Sequence, residues 1–469
     1  MRGSRITALL CAAALLGVGA LAAPAAFASH NEAVFFEAPG NLLGVTPVQR
    51  TKALQQLQSL GVHALRIVLY WRNVAPKPNH RRRPSFNQEN PARYHWGSYD
   101  QLIKAVGALH WKILLTVSGP VPDWATPHGK DKYTSPSTGD FRKFMVAIGR
   151  HYGRLVKLYS IWNEPNQPGF LRPQYTGKRL DSPRVYRGLF LAGYAGLKAS
   201  GNFAGMTVLM GETSPIGVVS QHVPAPLAFL RGVLCLDARY KPVGHCAKLP
   251  ADGYAQHPYN NARGPFGNPP KDDVTISTIG RLVTALDRAA SVGAVRRGLP
   301  VYVTEFGVQT KPNPYVGVTL AQQAEFDAIS EHIAYANHRV AAFSQYLLKD
   351  DSGNGTAGAG SFSGFQTGLE YFNGAPKPSF FAFPVPLVVT RHGRRFSLWG
   401  LVRPATGATR VTVLVRPIRS RRFRVLRTIA TNGRRYWSFN SAVKGSAWRV
   451  RWISPAGKRY EGPPIRAYR

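Results

Sequence analysis

The chain has 469 residues, too many for one ordinary domain and enough for a barrel of roughly 250–350 residues plus a small module. Hydrophobic residues at 44% and aromatics at 11% supply a packed core and exclude global disorder. A formal net charge of +37 disfavours basic partners. It suits polyanions such as acidic glycans, teichoic-type polymers, anionic lipid or nucleic acid, or else reflects a lineage-wide compositional habit.

Residues 1–28 read as a signal peptide. Arg2 and Arg5 precede an apolar run from Ile6 to about Ala23, and Ala26-Phe27-Ala28 has the small-x-small pattern of a cleavage site. The mature chain is expected to start near Ser29 and to be secreted, free or associated with the cell wall. An uncleaved anchor is the alternative, because the run is nearly long enough to span a bilayer. No later stretch is apolar enough to cross a membrane. Cys11 leaves with the leader. The remaining pair, Cys235 and Cys246, favours a disulfide closing a short loop over two unpaired thiols. No Cys/His cluster has zinc spacing.

From residue 33 to about 380, short apolar strands alternate with amphipathic helices. Strands are predicted at 33–37, 63–70, 112–117, 156–162, 206–211, 253–257, 300–305 and 340–347. Helices are predicted at 49–60, 97–109, 139–152, 183–200, 272–292, 320–335 and 378–383. Eight strands with intervening helices, and no Gly-rich phosphate turn after any strand, point to a (β/α)₈ TIM barrel of the α/β class over residues 29–383. The Gly/Ser segment 352–364 directly follows a strand and reads as an active-site loop.

After residue 384 the pattern changes to strands and turns alone, at 387–389, 395–401, 409–415, 422–430, 436–439 and 448–453. This predicts a small all-β, sandwich-like domain over 384–469. From Arg391 to Arg469 it holds about twenty Lys and Arg and one acid, Glu461.

Barrel active sites form where strands end, so those residues carry the chemistry. Ile161-Trp162-Asn163-Glu164-Pro165 ends the fourth strand on a carboxylate flanked by an amide, and the proline turns the chain away from the sheet. Thr304-Glu305-Phe306-Gly307 ends the seventh on a second carboxylate. Two carboxylates on one rim are what retaining glycoside hydrolysis needs: one protonated to assist the leaving oxygen, one ionised to attack the anomeric carbon. Arg66, inside the second strand, would pair with a carboxylate and hold Glu305 ionised. His257 and Tyr259 end the sixth strand, where either could hydrogen-bond the nucleophile. Trp71, Trp124 and Tyr346 are candidates to stack on sugar rings. Glu37 and Glu212, after the first and fifth strands, are weaker candidates for substrate contact.

These residues carry a resemblance. Gly61-Val-His-Ala-Leu-Arg-Ile-Val-Leu-Tyr-Trp71, Trp162-Asn163-Glu164-Pro165 and Thr304-Glu305-Phe306-Gly307 are similar to motifs of glycoside hydrolase clan A, whose catalytic carboxylates lie on strands four and seven. The similarity covers roughly residues 40 to 382, and Pro122-Asp-Trp124-Ala resembles families 39 and 42 as much as family 5. It implies an acid/base at Glu164, a nucleophile at Glu305, and a sugar 2-hydroxyl contact at Asn163, with Arg66 and Tyr259 holding the nucleophile. The sequence departs from many clan members at the end of strand eight, which reads Phe343-Ser-Gln-Tyr346-Leu in place of a tryptophan.

The expectation is a secreted retaining hydrolase, without cofactor or metal, acting as a monomer on a poly- or oligosaccharide, most simply a β-linked one. The basic domain would tether it to an anionic glycan or cell-wall polymer, or merely buttress the barrel. A non-catalytic carbohydrate-binding barrel is the competing reading; specific nucleic-acid binding rests on charge alone. Sugar and linkage would be set by the loops 72–96, 167–182, 231–251 and 350–365.

Overall fold

The computed structural model describes residues 32–129, 131–352 and 364–468; the expected leader and most of the Gly/Ser segment lie outside the described residues. Eight parallel strands close into a barrel: β1 Ala33–Glu37, β2 Ala64–Tyr70, β3 Lys112–Ser118, β4 Leu158–Ile161, β5 Thr207–Thr213, β6 Gly253–Gln256, β7 Val301–Val303 and β8 Val340–Tyr346. Each pairs with its chain neighbours, and β8 closes on β1, with Glu37 opposite Tyr346.

Alternation along the strands divides the apolar residues into two layers. Phe35, Ala64, Leu114, Leu209, Ala255 and Ala342 fill the barrel interior. Leu65, Ile67, Ile113, Leu115 and Val208 point outward and pack under the helices. Burying one such side chain contributes about 1.5–3 kcal/mol. Helix starts follow local chemistry: Thr46 with Gln49, and Thr319 with Gln322, form capping boxes for the helices Pro47–Ser59 and Leu320–Ala336.

Two elements depart from expectation. A helix at Pro226–Val233 occupies the connection after β5, begun by a proline where a helix tolerates one. The helix expected from residue 272 runs only over Ile279–Ser291, because Pro270 O accepts from Asp273 N in a turn and a 3₁₀ turn, Ile276–Thr278, capped by Thr275, leads into it.

The C-terminal region forms two antiparallel sheets. One orders β9 Leu387–His392, β10 Arg395–Leu401 and β13 Tyr436–Ser441; the other orders β12 Arg424–Ala430, β11 Arg410–Pro417, β14 Gly445–Ile453 and β15 Arg459–Glu461. Val389, Leu398, Val413, Val415, Trp448 and Val450 fill the space between them. The module packs on the flank of helix Leu320–Ala336. Arg403 reaches the buried Glu331 with hydrogen bonds of 2.9 and 2.8 Å while its guanidinium lies 4.0 Å from the Phe383 ring centroid. Gly61 (φ +86°) lies against the backbone of Arg403, where a Cβ would come within 2.5 Å of its carbonyl carbon; only glycine suits both the conformation and the approach.

Among the described residues no helix is long and apolar enough to cross a membrane.

Candidate active site

The charged residues gather at the C-terminal rim of the barrel. Arg66 lies inside it, fully shielded from solvent, and uses all five of its N–H donors. Nε donates to Thr116 Oγ1 at 3.3 Å. Nη1 donates to Glu305 Oε2 at 2.7 Å and to Glu37 Oε2. Nη2 donates to Asn163 Oδ1 at 2.6 Å and to Glu212 Oε2 at 2.7 Å. A buried guanidinium without partners would be costly, and here three carboxylates surround it.

His257 follows β6 directly and is equally enclosed. Its Nδ1 lies 3.1 Å from Glu164 Oε1 and 3.6 Å from Glu305 Oε2, and its Nε2 lies 3.7 Å from Glu212 Oε2, beyond hydrogen-bond length. Nδ1 therefore hydrogen-bonds Glu164 and lies beside Glu305 without bonding it, so the ring stands between the two predicted catalytic carboxylates. Their facing oxygens can be no further apart than 3.1 Å plus 3.6 Å, at most 6.7 Å. Tyr259 donates to the other oxygen of Glu305 at 2.7 Å, so both oxygens of that carboxylate are held.

Four carboxylates thus face two basic side chains. Burial disfavours a charged His257, but Glu305, Glu164 and Glu212 outweigh it and lift its pKa to about 10. Burial likewise opposes the Glu212 anion, yet Arg66 and His257 hold it down at about 2. For Glu37 burial wins, with Glu305 adding to it against Arg66, and its pKa rises to about 7. Burial also raises Glu164, with His257 opposing and Glu305 reinforcing. Side-chain exposure is 18% for Glu164 and 10% for Glu305, against 7% for Glu37 and none for Glu212, so the first two stand at the mouth.

The backbone is bent to present them. Trp162 (φ 74°) and Glu164 (φ 39°) flank Asn163 in the left-handed region, uncommon for such residues. Glu212 (φ 50°) follows Gly211 (φ 105°) at a register shift between β5 and β6. Strict alternation from the inward-facing Leu209 would point Glu212 outward; the bulge turns it inward onto Arg66 and onto Thr116, whose Oγ1 donates to it at 2.9 Å. A Cβ at Gly211 would meet Ala255 O at 2.6 Å, so a glycine is required there.

The sequence-predicted residues divide into two groups. Glu164, Glu305, Asn163, Arg66, His257 and Tyr259 converge. Tyr346, half-buried at the end of β8, stands close enough to Glu305 and Glu37 for both to raise its pKa beyond the effect of burial, and meets Phe365 edge-on at 5.1 Å. Trp71 and Trp124 do not belong to the site, correcting the expectation that they stack on sugar. β2 ends at Tyr70, and the helical turn Trp71–Val74 swings the Trp71 indole into the core. There it is fully buried and stacks on Phe144 at 5.1 Å. Trp124, 6% exposed, packs edge-on against Trp71 at 5.7 Å and donates its Nε1 to Pro76 O. Tyr70 is the rim aromatic instead, feeling Glu37, Arg66 and Glu305. Away from the rim, Cys235 and Cys246 form a disulfide with Cα atoms 6.2 Å apart. Among the described residues no group of three or more His, Cys, Asp or Glu side chains is arranged to hold a metal ion.

This architecture has been seen before. It is similar to a family 39 glycoside hydrolase from the gut symbiont Bacteroides cellulosilyticus, with a TM-score of 0.54 and 16% identity over 90% of this chain and 80% of that one. It is also similar to a glucosidase from Croceicoccus marinus, with a TM-score of 0.53 and 12% identity over 90% of this chain and 95% of the other. At such identities the likeness is one of fold. No protein-family model matches the sequence, and no curated protein matches it.

Proposed function

We propose that the protein is a retaining glycoside hydrolase with Glu305 as nucleophile and Glu164 as acid/base. The observation that carries this is the pairing of those two carboxylates across His257, at most 6.7 Å apart, at the open end of an otherwise sealed ionic cluster. Retaining enzymes hold such groups about 5–5.5 Å apart, and inverting ones need room for a water between them. In the first step a Glu305 oxygen bonds to the anomeric carbon, the glycosidic C–O bond breaks, and the Glu164 proton passes to the leaving oxygen. In the second, Glu164 takes a proton from water, the water oxygen attacks the same carbon, and Glu305 leaves. Arg66 and Tyr259, donating to Glu305, disperse its charge as it forms and breaks the bond. Asn163 accepts from Arg66 through Oδ1, which leaves Nδ2 for the sugar 2-hydroxyl. Because burial raises Glu164, its proton is retained above the ordinary carboxylate range, and the alkaline limb of the activity profile is expected there.

The named functions of the two similar folds agree with this reading. We further propose export through the leader, a β-linked poly- or oligosaccharide as substrate, and a tethering role for the basic module toward an anionic wall polymer. In support of tethering, the one acid between Arg391 and Arg469, Glu461, is shared by Arg449, Arg451 and Arg459, so most of the about twenty basic side chains there have no acid of the module to offset them.

The test is release of aryl and reducing sugar from a glycoside and polysaccharide panel by wild type and by Glu305→Gln, with the first-formed anomer read by NMR. Activity in wild type that falls at least about a thousandfold in the variant, with retained configuration, is the expected result. An inverted first product, or a variant as active as wild type, overturns the assignment.

A further inference from the structure

A groove of about 820 Å³ lies between the C-terminal module and the end of helix Leu320–Ala336. Its position separates it from the cleft just described. Ala336 precedes the start of β8 by four residues, so the groove is at the N-terminal end of the barrel, opposite the rim that carries Glu164 and Glu305. Its volume is that of a site for a small ligand or a few sugar rings.

The floor is the outer face of the three-stranded sheet. Thr390, Ser397 and Asn440 pair across the strands as one row, and Val388, Trp399 and Ser438 as the next. The helix covers the apolar end of this face, where Trp399 packs under Tyr335 at 5.3 Å and His332 at 4.7 Å. The hydroxyl and amide end stays open. Ser397 Oγ donates to Asn440 Oδ1 at 2.8 Å, leaving the Asn440 amide nitrogen to face other acceptors. Ser438 and Asn440 are exposed, and Tyr335 on the helix is a half-buried ring on the lining, whereas Phe439 turns inward onto the core between the sheets.

Among the described residues the lining contains no Lys, Arg, Asp or Glu, in a module with about twenty basic residues and a chain of net charge +37. Its one titratable base, His332, is pushed down to about 4 by burial and is neutral under ordinary conditions. A groove of rings, hydroxyls and an amide, with no charged side chain on its described lining, matches the mixed character of a neutral sugar: apolar C–H faces for the rings and hydroxyls that both donate and accept. A polyanion would instead be met on the module's cationic surface.

We propose that this groove is a second saccharide-binding site, separate from the catalytic cleft, that holds a neutral glycan segment. The test uses the full chain carrying Glu305→Gln, so that no substrate is consumed, mixed with insoluble cellulose, chitin, xylan and mannan in 0.5 M NaCl. Depletion from solution onto at least one polymer is expected. Adding Ser438→Trp, which fills the floor, together with Asn440→Ala, should weaken that binding at least about tenfold while the melting temperature stays within a few degrees. The same two changes in wild type should leave hydrolysis of a soluble aryl glycoside unaltered. Absence of depletion on all four polymers, or binding undiminished by the double change, overturns the proposal. Hydrolysis that fails while groove-dependent binding persists would sink the catalytic reading alone.

Discussion

Glu37→Gln exchanges one oxygen for a nitrogen at the most crowded point of the rim, and its consequence can be worked through. In the native chain Glu37 keeps its proton up to about pH 7; in the unfolded chain it releases it near the ordinary value of 4.5. Between those values the native state binds the extra proton, so stability falls as pH rises through the window. The shift corresponds to about 3 kcal/mol at about 1.4 kcal/mol per tenfold change in proton affinity. Glutamine has no proton to lose and still fills the space beside Arg66, which keeps Glu305 and Glu212 as partners. Urea unfolding of both proteins at pH 4.5, 6 and 7.5 isolates the effect, because other titrating groups are common to the two. Wild type should lose about 3 kcal/mol more than the variant between the first and last pH. Parallel pH dependence, within about 0.5 kcal/mol, would refute the reasoning.

Three further outcomes follow from other contacts. Tyr259→Phe removes one hydrogen bond to a charged oxygen of Glu305 and should cut kcat/KM about tenfold to a hundredfold without loss of fold, read from initial rates and circular dichroism. Reducing Cys235–Cys246, which closes a loop with a sequence separation of 11, should cost about 3 kcal/mol of unfolding free energy, seen as a lower Tm with dithiothreitol that Cys235→Ser/Cys246→Ser reproduces. Arg403→Met strands Glu331 and should cost about 3–5 kcal/mol in chemical denaturation, most of it restored by adding Glu331→Leu; a double variant as unstable as the single one would contradict that account.

The barrel was legible because its strands are short, apolar and regularly spaced. Residues at strand ends could then be assigned to one rim without knowing any contact, which is why Glu164, His257, Tyr259 and Glu305 were within reach, and Arg66 was marked by being a charge inside an apolar strand. What alternation alone could not supply was a break in alternation. Glu212 belongs to the cluster only because a bulge at Gly211 rotates it inward, and the weak sign of that was a glycine beside an acid inside a strand. Trp71 misled for a related reason: it follows its strand by one residue, and the direction of a side chain just past a strand depends on the turn that comes next. The helix Pro226–Val233 lay within a long connection whose prolines and glycines masked eight helical residues.

The seam at Gly61 and Arg403 bears on how such a chain could have been assembled. A module joined by a linker can be lost, gained or exchanged between unrelated enzymes. Here the small domain supplies the counter-ion of a carboxylate buried in the barrel's own helix, and its strands cover Ala328 and Ile329 on that helix. Cut near residue 384, the barrel would keep the carboxylate and lose the cation. Loss or exchange of the module would therefore call for a compensating change in the barrel, at Glu331 first.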